Sequence, residues 1–173
     1  MNHVVRTEPI TEEEFDNELR SWEGTPYLEN GCSRAGIDCL RFIVLMQDWL
    51  HGWDTKKLSP IPQRSGQISI HAPKEVFKVI QWMQDRYPNE QVWDRKLDRS
   101  EFDLRPSDIV VVRNQINPGH ALLGGVSKNT CWHALPHPSL KHGGNVHETS
   151  IGWCLTMGIV SVYRVKESLL VPG

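Results

Sequence analysis

The sequence predicts an α+β fold in which N-terminal helices pack on an antiparallel sheet. Apolar residues recur at helical spacing in the first half of the chain, and β-branched runs follow residue 107. Helices first and strands later are typical of this class. A length of 173 residues fits one domain that buries its own core, so we expect a single domain over residues 1–173.

Capping signals and periodicity predict three helices in the first half. Thr11 and Glu14 have the spacing of a capping box, and apolar residues follow them at helical spacing. The second candidate is mostly apolar and should be largely buried, and Pro88 follows the third. The predicted helices cover residues 12–22, 38–51 and 74–86. Segments rich in Gly, Asn, Ser or Pro are predicted to be irregular, at residues 24–36 and 54–73.

The second half of the chain is predicted to form strands. An Asn-Pro-Gly turn at residues 117–119 precedes one of the apolar runs. The predicted strands cover residues 108–113, 120–126, 129–135 and 158–165. The segment that carries His137, His142 and His147 also contains prolines and glycines, and we predict a loop there.

Composition excludes several classes of protein. Nineteen Lys and Arg stand against 21 Asp and Glu, a net charge of −2, so no basic excess favours nucleic acid. No apolar run approaches the roughly 18 residues that a membrane-spanning helix needs. The N-terminal residues show no charged region followed by an apolar core, so we expect cytoplasmic synthesis without a Sec-type signal. The four cysteines form no C-x-x-C pairs and are expected to be free thiols.

Cys39 is the cysteine whose position suggests chemistry. It follows Gly36, Ile37 and Asp38 and begins the predicted apolar helix. Backbone N–H groups and the helix dipole at a helix start stabilise an anion, so a thiolate is favoured there. The alternative is that Cys39 is a small apolar residue of a core helix. From the residues alone the two interpretations are evenly matched.

A cysteine nucleophile also needs a base, and two histidines are candidates. His120 follows the Asn-Pro-Gly turn, and His133 comes 13 residues later on the next predicted strand. Two strands joined by a short turn would bring both imidazoles side by side on one face. One would act as base and the other would orient it. The alternative is a pair of ordinary half-buried strand histidines, which spacing alone favours.

The remaining histidines raise the question of a metal site. His133, His137, His142 and His147 lie close together in the sequence. Metal sites usually take their ligands from rigid elements with supporting hydrogen bonds, whereas a His-rich loop is usually solvated. We therefore predict no metal site.

Several motifs together resemble the NlpC-type cell-wall cysteine endopeptidases, a family with a papain-like fold. The resemblance covers about residues 15–165, with the motifs in the family's order. Residues 36–39 (GIDC) with Phe42 resemble the nucleophile motif, and residues 119–123 (GHALL) resemble the histidine strand. The other similar segments are residues 22–27 (WEGTPY), 104–108 (LRPSD), 131–134 (CWHA) and 163–164 (YR).

The resemblance implies a set of roles and no cofactor. Cys39 would be the nucleophile, His120 the general base, and His133 the group that orients His120. Tyr27 and Asp38 would contribute to substrate or oxyanion binding, and the Cys39 N–H would be one oxyanion donor. The substrate would be an amide in peptidoglycan stem peptides.

Three features depart from the family's pattern. Leu40 and Arg41 replace the usual small residues after the nucleophile, and Arg41 is expected to narrow or charge the site. Ser107 replaces a glycine, and residues 53–100 form an apparent insertion.

The leading interpretation is a cysteine peptidase or amidase that acts on peptidoglycan peptides through a Cys39 thioester. Because the resemblance is close to NlpC-type domains of phage tails, we expect a virion-carried enzyme with other tail proteins as partners. A secretion-system effector fits the same facts. A second interpretation is a tail structural or assembly protein that keeps the fold with little or no activity. A third is a transferase or deamidase with the same nucleophile and base.

Overall fold

The computed structural model describes residues 6, 8–52, 81, 84–85, 89–94, 103–113, 118–136, 144–165 and 169–173. Within this part the α+β prediction is confirmed. The predicted irregular segment at 54–73, and most of the predicted helix at 74–86 and of the insertion at 53–100, lie outside the described residues. The helices are α1 Glu12–Ser21, α2 Cys39–Leu50 and α3 Ile151–Met157. The strands are β1 Ile10–Thr11, β2 Cys32–Ser33, β3 Gly36–Ile37, β4 Asn89–Asp94, β5 Ile109–Arg113, β6 Pro118–Gly124, β7 Thr130–Pro136, β8 Gly144–Ser150, β9 Ile159–Val165 and β10 Leu170–Val171.

Helix α1 forms with the capping box that the sequence predicts. The Thr11 hydroxyl accepts a hydrogen bond from the Glu14 backbone N–H at 3.1 Å. In return, the Glu14 carboxylate accepts from the Thr11 N–H at 2.8 Å. These two bonds satisfy N–H groups that have no partner inside a helix, and they fix where α1 begins. The helix buries Phe15 and Leu19 against the core.

Helix α2 begins at Cys39 and is buried on nearly every side. Asp38 is its N-cap, so the helix starts one residue later than predicted. Of its 12 residues, only Trp49 is not fully buried. This explains why its apolar residues do not follow a narrow amphipathic stripe.

A six-stranded antiparallel sheet forms the other layer, with strand order β4-β9-β5-β6-β7-β8. The four predicted strands correspond to β5, β6, β7 and β9. The loop prediction is wrong for residues 144–150, because β8 pairs with β7 over its whole length. Strand β4, helix α3 and the short β2–β3 hairpin within residues 24–36 are also absent from the sequence prediction.

The sheet separates two apolar clusters. Helix α2 packs on β6 and β7, and its side chains form the larger cluster with residues such as Ala121 and Trp132. Helix α3 covers the opposite face, where Leu122, Cys131 and Cys154 belong to the second cluster. Alternation along each strand therefore determines which cluster a side chain joins. No described helix is long and apolar enough to cross a membrane.

Residues 24–27 continue the sheet beyond β8. The backbone N–H groups of Gly24 and Tyr27 donate to the carbonyls of Val146 and Gly144, both at 2.9 Å. Tyr27 also forms a parallel bridge with Ile37, two residues before α2. This extension places the segment after α1 between the edge of the sheet and the start of α2.

Candidate active site

The start of α2 is held by the carboxylate of Asp38, which is fully buried. One oxygen accepts from the Arg41 backbone N–H at 2.9 Å, as expected for an N-cap. The other accepts from the Asn30 N–H at 2.9 Å and from the Arg41 guanidinium at 2.6 Å. These contacts give Asp38 a structural role in fixing the position of Cys39. Its direct binding of substrate stays a prediction.

Arg41 pairs with Asp38 and is itself buried. Its side chain is 5% exposed, and the Asp38 side chain is not exposed at all. The sequence led us to expect that Arg41 would narrow or charge the site. Its guanidinium charge is instead compensated by a carboxylate within the same turn of helix.

Cys39 is the first residue of α2 and only 3% exposed. Its burial places the thiol in the cluster between α2 and the sheet. Tyr27 is half-buried and packs against the same cluster. Both residues therefore lie on the α2 side of the sheet.

The structure brings His120 and His133 together. Nε2 of His120 lies 2.8 Å from Nδ1 of His133, and both residues are buried. Strands β6 and β7 pair Leu123 with Trp132 and Gly124 with Cys131, at the turn end of the two strands. At the end that carries His120, the two strands are joined by the imidazole contact.

His147, which was predicted to lie in a loop, is a third member of this group. Strand β8 places it directly opposite His133, with the two Nε2 atoms 3.0 Å apart. Nδ1 of His147 lies 3.1 Å from the backbone carbonyl of Asn145 and 3.2 Å from its side-chain oxygen. Val146 is the only aliphatic residue in residues 144–150, so the sequence offers little sign of a strand there. We call His120, His133 and His147 the histidine group.

Burial keeps His133 neutral. Loss of solvent lowers the pKa of His133 to about 2, and the charges of His120 and His147 act in the same direction. A neutral imidazole offers one N–H donor and one acceptor nitrogen. His133 can therefore donate to one neighbouring histidine and accept from the other.

Trp153 of α3 covers the histidine group. Its ring centroid lies 5.0 Å from that of His133 and 6.2 Å from that of His120, with steep interplanar angles. Trp153 is not among the predicted site residues, because helix α3 was not predicted.

Cys39 and the histidine group belong to opposite packing faces of the sheet. Ala121 and Ala134 lie in the cluster that contains Cys39. His120 and His133 each precede one of these alanines, and alternation directs their side chains to the other face. Their contacts with Trp153 agree with that direction.

The arrangement of the histidine group does not suit a shared metal ion. His133 directs one ring nitrogen to His120 and the other to His147, so the three imidazoles do not converge on one point. Among the described residues, no cluster of three or more His, Cys, Asp or Glu side chains could hold a metal. His137 and His142 lie outside the described residues.

Known proteins resemble this chain in structure rather than in sequence. No protein-family model and no curated protein matches it. Among solved structures it is similar to the crystal structure of the NlpC/p60 domain of the peptidoglycan hydrolase SagA, with a TM-score of 0.47 and 15% identity. The match covers 90% of this chain and 100% of that chain. This degree of likeness decides neither family nor function, so the function proposed below depends on the residues of the site.

Proposed function

We propose that the protein is a cysteine peptidase or amidase that hydrolyses amide bonds in peptidoglycan stem peptides. Cys39 is the nucleophile, His120 the general base, and His133 orients His120. Tyr27, beside the start of α2, contributes to substrate binding. The substrate class follows from the motif resemblance, and the papain-like description of the fold belongs to the same proposal.

The observation that carries the proposal is the 2.8 Å contact between His120 and His133. A base that is held by a second polar group is the arrangement that cysteine nucleophiles require. The neutral, buried state of His133 suits a group that orients a base without competing for its proton. The contact occupies Nε2 of His120, so we assign proton transfer to Nδ1.

The proposed reaction is acyl transfer in two steps. Nδ1 of His120 accepts the Cys39 thiol proton, and the sulfur attacks the amide carbon. The amine leaves with the proton from His120, and a thioester remains on Cys39. Water then attacks the thioester, gives one proton to His120, and releases the acid, after which the proton returns to the thiol. The Cys39 N–H at the helix start would stabilise the oxyanion in both steps.

Because Cys39 and His120 pack on opposite faces of the sheet, their side chains have to meet beyond the end of a strand. Helix α2 packs on both β6 and β7, and Cys39 is its first residue. The histidine end of β6 and β7, away from their turn, is where we propose that the two groups meet.

Mass spectrometry of fragments released from purified peptidoglycan tests the activity. Wild type should release peptides with a newly formed terminus, whereas Cys39→Ala should release none. Cys39→Ala should fold, because Ala is the best helix former and the side chain loses only its sulfur. Identical products from both proteins, or none from several wall chemotypes, would reject the hydrolase.

A second candidate is a phage tail structural or assembly protein with little or no activity. The 3% exposure of Cys39 favours it, since a nucleophile has to be reached by its substrate. Under this alternative, wild type and Cys39→Ala behave alike with peptidoglycan, and both still assemble with other tail proteins.

Delivery by a phage tail tip is a separate proposal that rests on the motif resemblance. Immunogold labelling of intact virions with an antibody to this chain would test it. Label at the tail tip is expected, and virions without label would reject this location while leaving the hydrolase proposal in place.

A further inference from the structure

We propose that His147, anchored on the backbone carbonyl of Asn145, is a positioning residue that sets the tautomers of His133 and His120. Its consequence for catalysis rests on the proposed function. Its consequence for the tautomers does not, because it follows from the contacts of the histidine group alone.

The direction of the hydrogen bonds is decided at the Asn145 end. A carbonyl oxygen can only accept, so Nδ1 of His147, 3.1 Å away, carries the hydrogen and donates. In a neutral His147, Nε2 is then an acceptor. His133 therefore donates from Nε2 across the 3.0 Å contact.

The same logic extends to His120. With its hydrogen on Nε2, the neutral His133 presents Nδ1 as an acceptor. His120 donates to it from Nε2 across 2.8 Å. A neutral His120 then carries its lone pair on Nδ1, which is the nitrogen that a general base uses here.

The reverse direction leaves a repulsive contact. If His133 donated from Nδ1 to His120, its Nε2 would accept from His147. Nδ1 of His147 would then be an acceptor that faces the Asn145 carbonyl, another acceptor. The carbonyl belongs to the backbone and cannot rotate in the way that a side-chain amide can.

Few other titratable groups surround the histidine group within the described residues. His133, at the centre of the group, is faced by His120 from β6 and by His147 from β8, and the neighbouring side chain from α3 is the uncharged Trp153. Cys131 and Cys154 lie on the same face of the sheet and hydrogen-bond to each other. The nearest acid on β8, Glu148, pairs with Trp132 and contacts Arg20, on the α2 side. The hydrogen bonds on which the tautomer assignment rests therefore run from Asn145 through His147 and His133 to His120.

Long-range ¹H–¹⁵N NMR of histidine-labelled protein measures the tautomers directly. At pH 7.5 we expect the neutral His147 ring to carry its hydrogen on Nδ1, and the neutral His133 and His120 rings to carry theirs on Nε2. Assignment uses the loss of one signal set in each His→Gln variant. A wild-type spectrum with His133 protonated at Nδ1, or His147 at Nε2, would overturn the inference.

Two substitutions separate positioning from packing. His147→Leu removes the nitrogen that accepts the hydrogen bond from Nε2 of His133, so His133 should populate both of its neutral tautomers. His147→Gln keeps an amide oxygen for His133 and an amide N–H for the Asn145 carbonyl, so the tautomers of His133 and His120 should persist. Glu148→Gln is the control on the same strand but the other face. Unchanged His133 tautomers in a folded His147→Leu protein would reject the role. If His147→Leu does not fold, the wild-type and His147→Gln spectra decide.

Activity gives a second, independent measurement. Peptide release by His147→Leu should fall by about 100-fold or more in kcat with little change in KM, since a misoriented catalytic base loses at least that much. His147→Gln should recover most of the rate. If wild type releases nothing, the proposed function fails, and the NMR result still supports or overturns the tautomer chain.

Discussion

At the scale of single residues, the four cysteines differ in exposure, and their reactivity tests whether Cys39 is a nucleophile. Cys32 is exposed, whereas Cys39, Cys131 and Cys154 are buried. A thiolate that is paired with an imidazolium alkylates in mild acid, where an ordinary thiol with a pKa near 8.5 reacts slowly. We expect iodoacetamide at about pH 6 to modify Cys39 faster than Cys32. His120→Ala should move the Cys39 profile to higher pH. Peptide mass spectrometry measures both rates, and equal rates would favour the inactive tail protein.

Cys131 and Cys154 are the internal controls for this measurement. Their sulfurs lie 3.8 Å apart in the second cluster. The contact with Cys154 and burial both raise the pKa of Cys131. Both thiols should remain unmodified in the native protein and react after denaturation. Their modification in native protein would show that the reagent reports opening of the fold rather than reactivity.

His133 should make the protein sensitive to acid. Its pKa of about 2 lies below its usual value of 6.5, so between these values the unfolded chain binds a proton that the native protein does not. Its contribution to stability is complete above pH 6.5 and is lost as pH falls, by about 1.4 kcal/mol per unit. Urea unfolding of wild type and His133→Gln at pH 7.5 and 5 tests this. The wild type should lose more stability than the variant, and parallel losses would show that His133 is not the sensitive group.

At the scale of elements, the N-caps of α1 and α2 differ in burial, and their replacement should differ in its cost to stability. Asp38→Ala removes the partner of a buried guanidinium and the acceptor of two backbone N–H groups. Breaking a buried ion pair costs about 3–5 kcal/mol. Thr11→Ala, at the half-buried cap of α1, should cost about 1 kcal/mol. Chemical denaturation of both variants measures the difference. Similar losses would mean that Arg41 finds another partner or reaches water.

The turn before β5 contains a residue in an unfavourable conformation. Ser107 has a φ of 70°, in the left-handed region that favours glycine. The resembling motif has glycine at this position, so the geometry explains that preference. An L-residue in this conformation destabilises the native state by about 1–2 kcal/mol relative to glycine. Part of the gain from a glycine at this position is lost, because glycine makes the unfolded chain more flexible.

Ser107→Gly should therefore stabilise the protein by about 0.5–1 kcal/mol. Ser107→Ala is the matched control and should give no gain, because alanine keeps the Cβ atom. Gln47 donates to the backbone carbonyl of Ser107, a contact that both variants retain. Thermal unfolding measures the two midpoints, and a lower midpoint for Ser107→Gly would show that the turn is not strained.

At the scale of the whole molecule, local sequence signals predicted the first two helices, whereas β8 and the position of His147 depend on pairing between distant segments. The Thr11 capping box and the apolar run after Asp38 are local, and both helices form where they indicate. Strand β8 has one aliphatic residue and forms because β7 on one side and residues 24–27 on the other make hydrogen bonds with its backbone. The spacing across one turn predicted that His120 and His133 lie side by side, as they do. His147 could not be, because its place opposite His133 depends on that pairing.

An ion pair with a buried carboxylate joins β9 to the residue that precedes β5. Arg164 on β9 donates to both oxygens of Asp108, at 2.8 and 2.7 Å, and to the carbonyl of Asp103 at 2.8 Å. Burial raises the pKa of Asp108, and the hydrogen bonds from Arg164 oppose that rise. The carboxylate therefore depends on Arg164 to stay charged next to β5.

Arg164→Met should destabilise the protein by about 3 kcal/mol, at the lower end for a broken buried pair because the Arg164 side chain is 21% exposed. Without Arg164, burial raises the pKa of Asp108 further, so the native state holds a proton that the unfolded chain releases. The loss of stability relative to wild type should then grow from pH 5 to pH 7. Arg20→Met, which breaks the more exposed pairs with Asp16 and Glu148, should cost about 0.5 kcal/mol at both pH values. Urea denaturation of the two variants provides the comparison. A pH-independent deficit for Arg164→Met would mean that Asp108 stays ionised and that water or another donor replaces the guanidinium.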